Sequence, residues 1–224
     1  MIKRVYEANP KTIVVLISSF PYAINWTNAN VPAILHMSQN SQEEGNALAD
    51  VLFGDYNPAG RLVQTWPKSI EQLPPLMDYD IRHGRTYMYF RGEPLFPFGY
   101  GLSYTTFKYS KLHASSATLS SDGEIKVSVE VRNTGARAGE EVVQMYVTHL
   151  NSAVERPKSE LKGFKRVALK AGEAAVITLT LKADQLAYWD VNNHRFVVEP
   201  DRVQISIGSS SADIRQSTTV RVSP

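Results

Sequence analysis

The pattern of apolar and polar positions changes its period about halfway along the chain. In the first part, residues 12–17 (TIVVLI) and 32–37 (PAILHM) are short, continuous apolar runs. Runs of this kind, rich in β-branched residues, are typical of strands buried on both faces of a parallel sheet. About 14 residues separate them, which allows a crossover but is short for a full helix. The pattern therefore predicts two parallel strands.

A helix is predicted after the second run. Ser41 and Glu44 fit the S-x-x-E capping box that opens many helices. Gly54 stands where a left-handed glycine commonly ends one. The helix is therefore expected to run from about Gln42 to Phe53. Its apolar stripe is formed by Ala47, Leu48, Val51 and Leu52.

From about Lys108 onward the apolar residues alternate with polar ones. The clearest alternation falls at residues 125–131, 143–147, 177–181 and 203–207, with turn signals at 120–124, 133–140, 170–174 and 191–194. A period of two predicts strands with one buried face. Six to eight such strands over roughly 115 residues predict an antiparallel β-sandwich of immunoglobulin or fibronectin type. The chain has no cysteine, which favours the fibronectin-like variant.

The segment between these two patterns is rich in Pro, Gly, Tyr and Phe. This composition excludes a long helix, and its aromatic rings imply firm packing on neighbouring structure. The fold class is therefore expected to be mixed. We predict a partial α/β (αβα) sandwich at 1–66, a connector at 67–107 and an antiparallel fibronectin-III-like β-sandwich at 108–224.

Composition and charge narrow the functional classes. The formal net charge is +2, from 24 basic and 22 acidic residues, which does not favour a nucleic-acid or anionic-lipid partner. No apolar run approaches the roughly 18 residues of a membrane-spanning helix. The five histidines are scattered without metal-ligand spacing. No metal and no cofactor are therefore expected.

Several stretches together resemble one family. ANPKTIVVLISSFPYAINW, SQEEGNALADVLFGDYNPAGRL and GRTYMYFRGEPLFPFGYGLSYTTFKYSKL are similar to the end of the α/β sandwich and the connector of family 3 glycoside hydrolases. EVRNTGARAGEEVVQMYV and ELKGFKRVALKAGE fit the fibronectin-III-like domain of the same enzymes. The chain is therefore identified as similar to the C-terminal region of a β-glucosidase or β-xylosidase.

This resemblance implies a function and a partner. Family members remove terminal non-reducing β-linked sugars, and a (β/α)8-like barrel supplies their nucleophilic aspartate. Their acid/base is usually a glutamate upstream of the strand that matches residues 12–17. Both catalytic positions are thus expected upstream of Met1, and the isolated chain is expected to be inactive. The implied partners are a β-linked oligosaccharide or aryl glycoside and a barrel domain, and the implied location is periplasmic or secreted.

Local carboxyl pairs are poor substitutes for the catalytic pair. A retaining hydrolase needs two carboxyls about 5–5.5 Å apart. Glu43 and Glu44 are adjacent in the expected helix and point about 100° apart. Asp78 and Asp80 are expected to form ion pairs with Arg82 and Arg85 that fix the connector. Contact with neighbouring parts of an intact enzyme remains the alternative for the aspartates.

The resemblance also suggests a rim of the sugar site. The candidates are Gln39, Asn40, Gln42, Glu43, Trp26 and Tyr87. Aromatic rings could stack on a sugar or pack between domains, and interdomain packing is the more common role. Trp189 is expected to pack on the β-sandwich.

Two further expectations follow. Two strands cannot cover themselves, so residues 1–60 should lean on the connector and the β-sandwich, or on a second copy of the chain. The functional alternative to a part of an enzyme is a non-catalytic carbohydrate-binding or domain-bracing module.

Overall fold

The computed structural model describes residues 1–39 and 42–223, and this part of the chain is mostly β. Its N-terminal elements are α1 (Ile2–Ala8), β1 (Ile13–Ile17), α2 (Asn25–Asn30), β2 (Ala33–Met37) and α3 (Glu44–Phe53). The strands β1 and β2 pair in parallel, with Ile13 opposite Ala33 and Ile17 opposite Met37. The prediction of two parallel strands is therefore confirmed, and the short helix α2 forms part of the crossover.

The burial expected for these strands is wrong for the described chain. Val14 is the buried residue of β1, whereas Ile13 and Ile17 are 48% and 50% exposed. The physical reason is that β1 and β2 form a sheet of two strands. The apolar faces lack the additional layers that would cover them in a larger parallel sheet.

Helix α3 begins two residues later than expected. Glu43 is its N-cap, and the Glu43 side chain accepts no capping hydrogen bond from a backbone amide of α3. The expected capping box included Ser41. Asn40 and Ser41 lie outside the described residues. The C-terminus agrees with the prediction, because Gly54 ends the helix in a left-handed conformation with φ of 84°.

The connector contains short helical turns and one bridge to the N-terminal part. Two 3-10 turns, Ile70–Gln72 and Ile81–His83, precede the single-turn helix α4 (Thr86–Tyr89). Trp66 pairs with Phe96 as an isolated antiparallel bridge. The connector thus folds back on the residues from which it starts.

The remaining residues form a β-sandwich with a separate hairpin. Its ten strands are β3 (Phe107–Ala114), β4 (Thr118–Ser120), β5 (Glu124–Asn133), β6 (Gly139–His149), β7 (Glu160–Leu169), β8 (Ala174–Lys182), β9 (Tyr188–Asp190), β10 (Arg195–Val197), β11 (Asp201–Gly208) and β12 (Ile214–Ser223). One sheet has the order β4-β12-β11-β6-β7, and the other has the order β3-β5-β8. The pairing is antiparallel as expected, except that β4 lies parallel to β12.

The core lies between the two sheets, where the period-two pattern placed it. All the alternating positions are buried: Ile125, Val127, Val129, Val131, Val143, Met145, Val147, Ile177, Leu179, Leu181, Val203, Ile205 and Ile207. The alternation was therefore a reliable guide to the inward face of each strand.

The expectation for Trp189 is wrong. This residue lies on the β9–β10 hairpin opposite Phe196, and the two rings meet edge to face at 5.2 Å. Trp189 is 49% exposed and Phe196 is 72% exposed. The hairpin pairs its own two strands and belongs to neither main sheet, so its aromatic pair stays outside the core.

Residues near α3 lean on the β-sandwich, as expected. Tyr56 donates a hydrogen bond to Glu140, and Asn57 donates to the carbonyl of Ala138. The Arg137 guanidinium donates to the carbonyl of Gly54 at 2.7 Å. Contact with a second copy of the chain stays a prediction. In the described part of the chain, no helix combines the length and apolar composition that a membrane crossing requires.

Candidate functional site

The carboxyl ends of β1 and β2 form the natural place for a ligand in this part of the fold. In open α/β sheets, ligands bind in the crevice beyond the carboxyl ends of the strands. Ser18 follows β1, and its amide donates to the carbonyl of Met37 at the end of β2. Gln39 follows β2 and is exposed. This edge therefore carries the first of the rim candidates.

Ser18 and His36 meet at the same edge, although the sequence did not single them out. Nε2 of His36 lies 3.2 Å from Oγ of Ser18 and 3.2 Å from the carbonyl oxygen of Ser18. The hydroxyl of Ser18 donates to the carbonyl of Phe20 at 3.0 Å. Since a carbonyl only accepts, Nε2 carries the proton in its contact with that oxygen. This arrangement does not provide a base for Ser18, so the pair orders the strand ends.

An aromatic cluster closes this edge against the connector. Trp66 is 2% exposed, and its ring meets His36, Tyr22 and Phe96 edge to face at 5.0, 6.4 and 5.8 Å. Phe96 also stacks on Tyr100 at 5.3 Å. Aromatic rings that meet edge to face contribute stability beyond that from their buried area. These aromatics therefore pack the connector onto the N-terminal part, as the more common interpretation predicted.

The rim candidates between β2 and α3 lie on the surface. Gln42 and Glu43 are exposed, and the Glu43 carboxylate accepts a hydrogen bond from Asn46 at 2.6 Å. Asn40 lies outside the described residues. The described members of this segment leave polar side chains in solvent at the carboxyl end of the sheet, where they could contact a ligand.

The two aromatic rim candidates have different surroundings. Trp26 on α2 meets Tyr6 edge to face at 5.8 Å, and Lys3 lies over its ring. Tyr87 on α4 stacks on Phe98 at 4.3 Å, and its hydroxyl accepts from the amide of Leu161. Burial raises the pKa of the Tyr87 hydroxyl. The ring also meets Tyr146 of β6 edge to face at 6.0 Å, so Tyr87 packs α4 onto both the connector and the β-sandwich.

The aspartates of the connector are held by hydrogen bonds. His83 lies 2.7 Å from Asp78, and Arg82 lies 2.5 Å from Asp80. These contacts lower the pKa of both carboxyls below their ordinary values. Arg85 donates to the backbone carbonyls of Pro75 and Asp78. The predicted ion pairing is therefore confirmed for Asp80 with Arg82. The Arg85 side chain instead fixes the connector by donating to its backbone carbonyls.

A second polar cluster lies in the β-sandwich. His149, Glu199 and Asp201 have residue types found in metal sites and lie close together. Asp201 and Glu199, however, already accept hydrogen bonds from His149, Arg156 and backbone amides. The Arg156 cation also opposes a metal ion. The cluster is therefore an ion-pair and hydrogen-bond network. His149 lies 52 positions from Asp201, and no local motif pointed to the cluster.

Comparison with known proteins agrees with this architecture. Residues 1–104 match the glycosyl hydrolase family 3 C-terminal domain, and residues 141–211 match the fibronectin type III-like domain. The chain is 39% identical to thermostable β-glucosidase B of Acetivibrio thermocellus, over 99% of this chain and 31% of the relative. It is 39% identical to a β-xylosidase of Formosa agariphila, over 94% of this chain and 30% of the relative.

Solved structures give the same result. The β-D-glucoside glucohydrolase of Trichoderma reesei superposes with a TM-score of 0.90 at 34% identity, over 99% of this chain and 35% of that chain. The family 3 β-glucosidase of Bifidobacterium adolescentis superposes with a TM-score of 0.90 at 33% identity, over 99% of this chain and 34% of that chain. This chain thus spans about a third of the proteins it resembles. It belongs to glycoside hydrolase family 3, and it corresponds to the C-terminal region of those enzymes.

Proposed function

We propose that this chain is the accessory and structural C-terminal portion of a family 3 enzyme that removes terminal non-reducing β-linked glucose or xylose. The observation that carries the proposal is the similarity of 99% of the chain to about a third of a β-glucosidase. In this proposal the nucleophile and the acid/base belong to the remainder of such an enzyme.

The chemistry of the described carboxyls supports the proposal that the catalytic groups lie in the remainder of the enzyme. A general acid that works near neutral pH needs a raised pKa. Asp78 and Asp80 have lowered pKa values because His83 and Arg82 donate to them. Glu43 is exposed and accepts from Asn46. These carboxyls therefore suit structural roles.

The proposed domain boundaries follow the change in packing. Residues 1–66 would complete an α/β sandwich, 67–107 would connect the domains, and 108–224 would form the fibronectin-III-like domain. Gln39, Asn40, Gln42, Glu43 and Trp26 would lie at the rim of the sugar site of the intact enzyme. Tyr87 would support that rim by packing, since its ring lies on Phe98.

Exposed apolar side chains support a protein partner for the N-terminal part and the connector. Apart from Met1, those that are more than two thirds exposed include Phe20, Phe53, Val63, Ile70, Leu76, Met77, Tyr79 and Leu102. Apolar surface of this kind marks interaction sites. The proposed partner is the barrel domain, with a second copy of the chain as the alternative.

A chimera tests the proposal directly. The 224-residue chain alone should not hydrolyse p-nitrophenyl β-glucoside or β-xyloside. The same chain should support hydrolysis when it replaces the matching region of the Acetivibrio thermocellus β-glucosidase. Trp26→Ala in the chimera should raise KM more than it lowers kcat. Turnover by the isolated chain that disappears in Glu43→Gln or Asp80→Asn would contradict the proposal.

The second candidate function is a carbohydrate-binding module. The exposed aromatic pair of Trp189 and Phe196 favours it, because aromatic faces on a surface hairpin can stack on sugar rings. Affinity electrophoresis of the chain in soluble glucan or xylan tests this candidate, with Trp189→Ala as the variant. Retardation that is lost in the variant would support binding. Migration unchanged by either polysaccharide would leave domain bracing as the non-enzymatic role.

A further inference from the structure

Residues 150–158 form most of the loop between β6 and β7, and two carboxylates hold the first part of this segment. Asp201 accepts the amide of Asn151 at 2.8 Å. Glu199 accepts the Ser152 hydroxyl at 2.5 Å and the amide of Ala153 at 3.0 Å. Arg156 adds an ion pair to Glu199 at 2.8 Å, with both side chains about nine-tenths buried. These contacts fix the path of the loop.

Lys158, near the end of the same loop, contacts the connector. The amide of Lys158 donates to the carbonyl of Met88 at 2.9 Å, and its ammonium donates to the carbonyl of Phe90 at 2.9 Å. Both carbonyls lie at the end of α4. The loop therefore joins the carboxylate network on one side to helix α4 on the other.

His149 lies where this network meets the core, and one of its ring nitrogens is left without a hydrogen-bond partner in the described part of the chain. Its Nδ1 is 2.7 Å from Oδ2 of Asp201, and the two side chains are 2% and 1% exposed. Asp201 Oδ1 already accepts from the amides of Asn151 and Arg202. A carboxylate accepts, so Nδ1 donates its proton to Asp201. Among the described residues, Nε2 of His149 has no hydrogen-bond partner.

Protonation of Nε2 would be costly in this closed arrangement. The charged groups that face His149 are Asp201, Arg156, Glu160 and Glu199. Burial lowers the pKa of His149, and Arg156 adds to this effect, while the hydrogen bond to Asp201 opposes it. An added proton would place an N–H without an acceptor in a buried site. Opening the loop would let water satisfy it.

We propose that His149 is an acid-sensitive latch, whose protonation releases the 150–158 loop and loosens the hold of Lys158 on α4. The closed state binds fewer protons at His149 than the open state. Falling pH therefore favours opening, beginning near the ordinary histidine pKa of 6.5. The latch would make the contact between the β-sandwich and the connector depend on pH.

Hydrogen exchange of the full chain between pH 7.5 and 5.0 tests the latch. Protection factors, corrected for intrinsic exchange, should fall with pH for the amides of Asn151, Ala153 and Lys158. One proton limits the fall to about tenfold per pH unit. His149→Asn retains a donor near the Nδ1 position but cannot titrate, so its protection should not change with pH. His113→Asn, on the exposed face of β3, should behave like the wild type.

Each alternative outcome is decisive. The latch is refuted if His149→Asn keeps the pH dependence of the wild type. If that variant does not fold, NMR titration of wild-type His149 gives the same information. A pKa below 6.5, with loop amides shifting at the same midpoint, supports the latch, and a higher pKa overturns it. Protection at Phe90 that stays constant while the loop opens would overturn the coupling to α4.

Discussion

Arg61 and Glu141 form an ion pair at 2.7 Å, with side chains that are 9% and 6% exposed. Arg61 belongs to the N-terminal part and Glu141 to β6, so the pair joins the N-terminal part to the β-sandwich. The Glu141 carboxylate also accepts the amide of Val142 at 2.7 Å. A buried pair of this kind orients the two parts more than it stabilises them, because both charges lose their water.

Breaking the pair should destabilise the chain. Glu141→Gln leaves the Arg61 cation buried without its counter-charge, which is expected to cost about 3 kcal/mol. Urea denaturation followed by circular dichroism measures this loss. Glu93→Gln is the matched control, because Glu93 pairs with Lys68 at an exposed site and should leave the urea midpoint unchanged. Equal midpoints for the two variants would show that Arg61 finds another partner or water.

Two glycine substitutions should have opposite effects. Gly99 has a φ of +81°, and a Cβ there would lie 2.1 Å from Oε1 of Gln144 and 3.0 Å from the hydroxyl of Tyr146. Gly99→Ala is therefore expected to cost at least about 2 kcal/mol. Gly45 in α3 has no atom within 4 Å of its added Cβ, so Gly45→Ala should stabilise by about 0.5 kcal/mol. Thermal and urea unfolding test both; a stable Gly99→Ala would show that the connector can shift.

The sequence predicted most of the β-sandwich because one physical signal dominated it. Each alternating residue, such as Val129 or Ile205, faces a core shared by two sheets, so local pattern and global burial agree. The parallel pair of β1 and β2 was visible for a similar reason. Its burial was not predictable, because Ile13 and Ile17 would need layers that the described residues do not provide.

The candidate site was harder to predict, because its contacts join residues far apart in sequence. Tyr87 was a rim candidate, but no local pattern indicated its stacking on Phe98 or the contact of Trp66 with His36 on β2. The contact of His149 with Asp201 crosses 52 positions. Trp189 was misplaced because a strand-like pattern does not reveal whether a hairpin joins a main sheet.

The loss of folding stability at acidic pH should depend on Glu199. Burial would raise the pKa of its carboxyl, but hydrogen bonds from Ser152, Ala153 and Arg156 outweigh burial and lower it below 4.5. A carboxyl with a lowered folded-state pKa contributes stability above its unfolded pKa, and this contribution is lost as pH falls through the folded value. Glu199→Gln should therefore flatten the loss of stability below about pH 4.5. Urea midpoints at pH 7.0, 4.5 and 3.5 measure this; an unchanged slope would contradict the assignment.

Replacing a buried tryptophan should destabilise the chain more than replacing an exposed one. Trp66 is 2% exposed within the aromatic cluster, whereas Trp189 is 49% exposed on the hairpin. Trp66→Ala removes a fully packed ring and leaves a cavity between the connector and the N-terminal part, so it should cost about 3–5 kcal/mol. Trp189→Ala loses mainly its contact with Phe196, worth about 1 kcal/mol. Urea unfolding compares the two variants, and near-ultraviolet circular dichroism reports the loss of fixed aromatic packing. If Trp66→Ala unfolds only as easily as Trp189→Ala, the connector does not depend on the aromatic cluster. Its attachment to the N-terminal part would then rest on polar contacts such as the hydrogen bonds that Asn57 accepts from Ser103 and Tyr104.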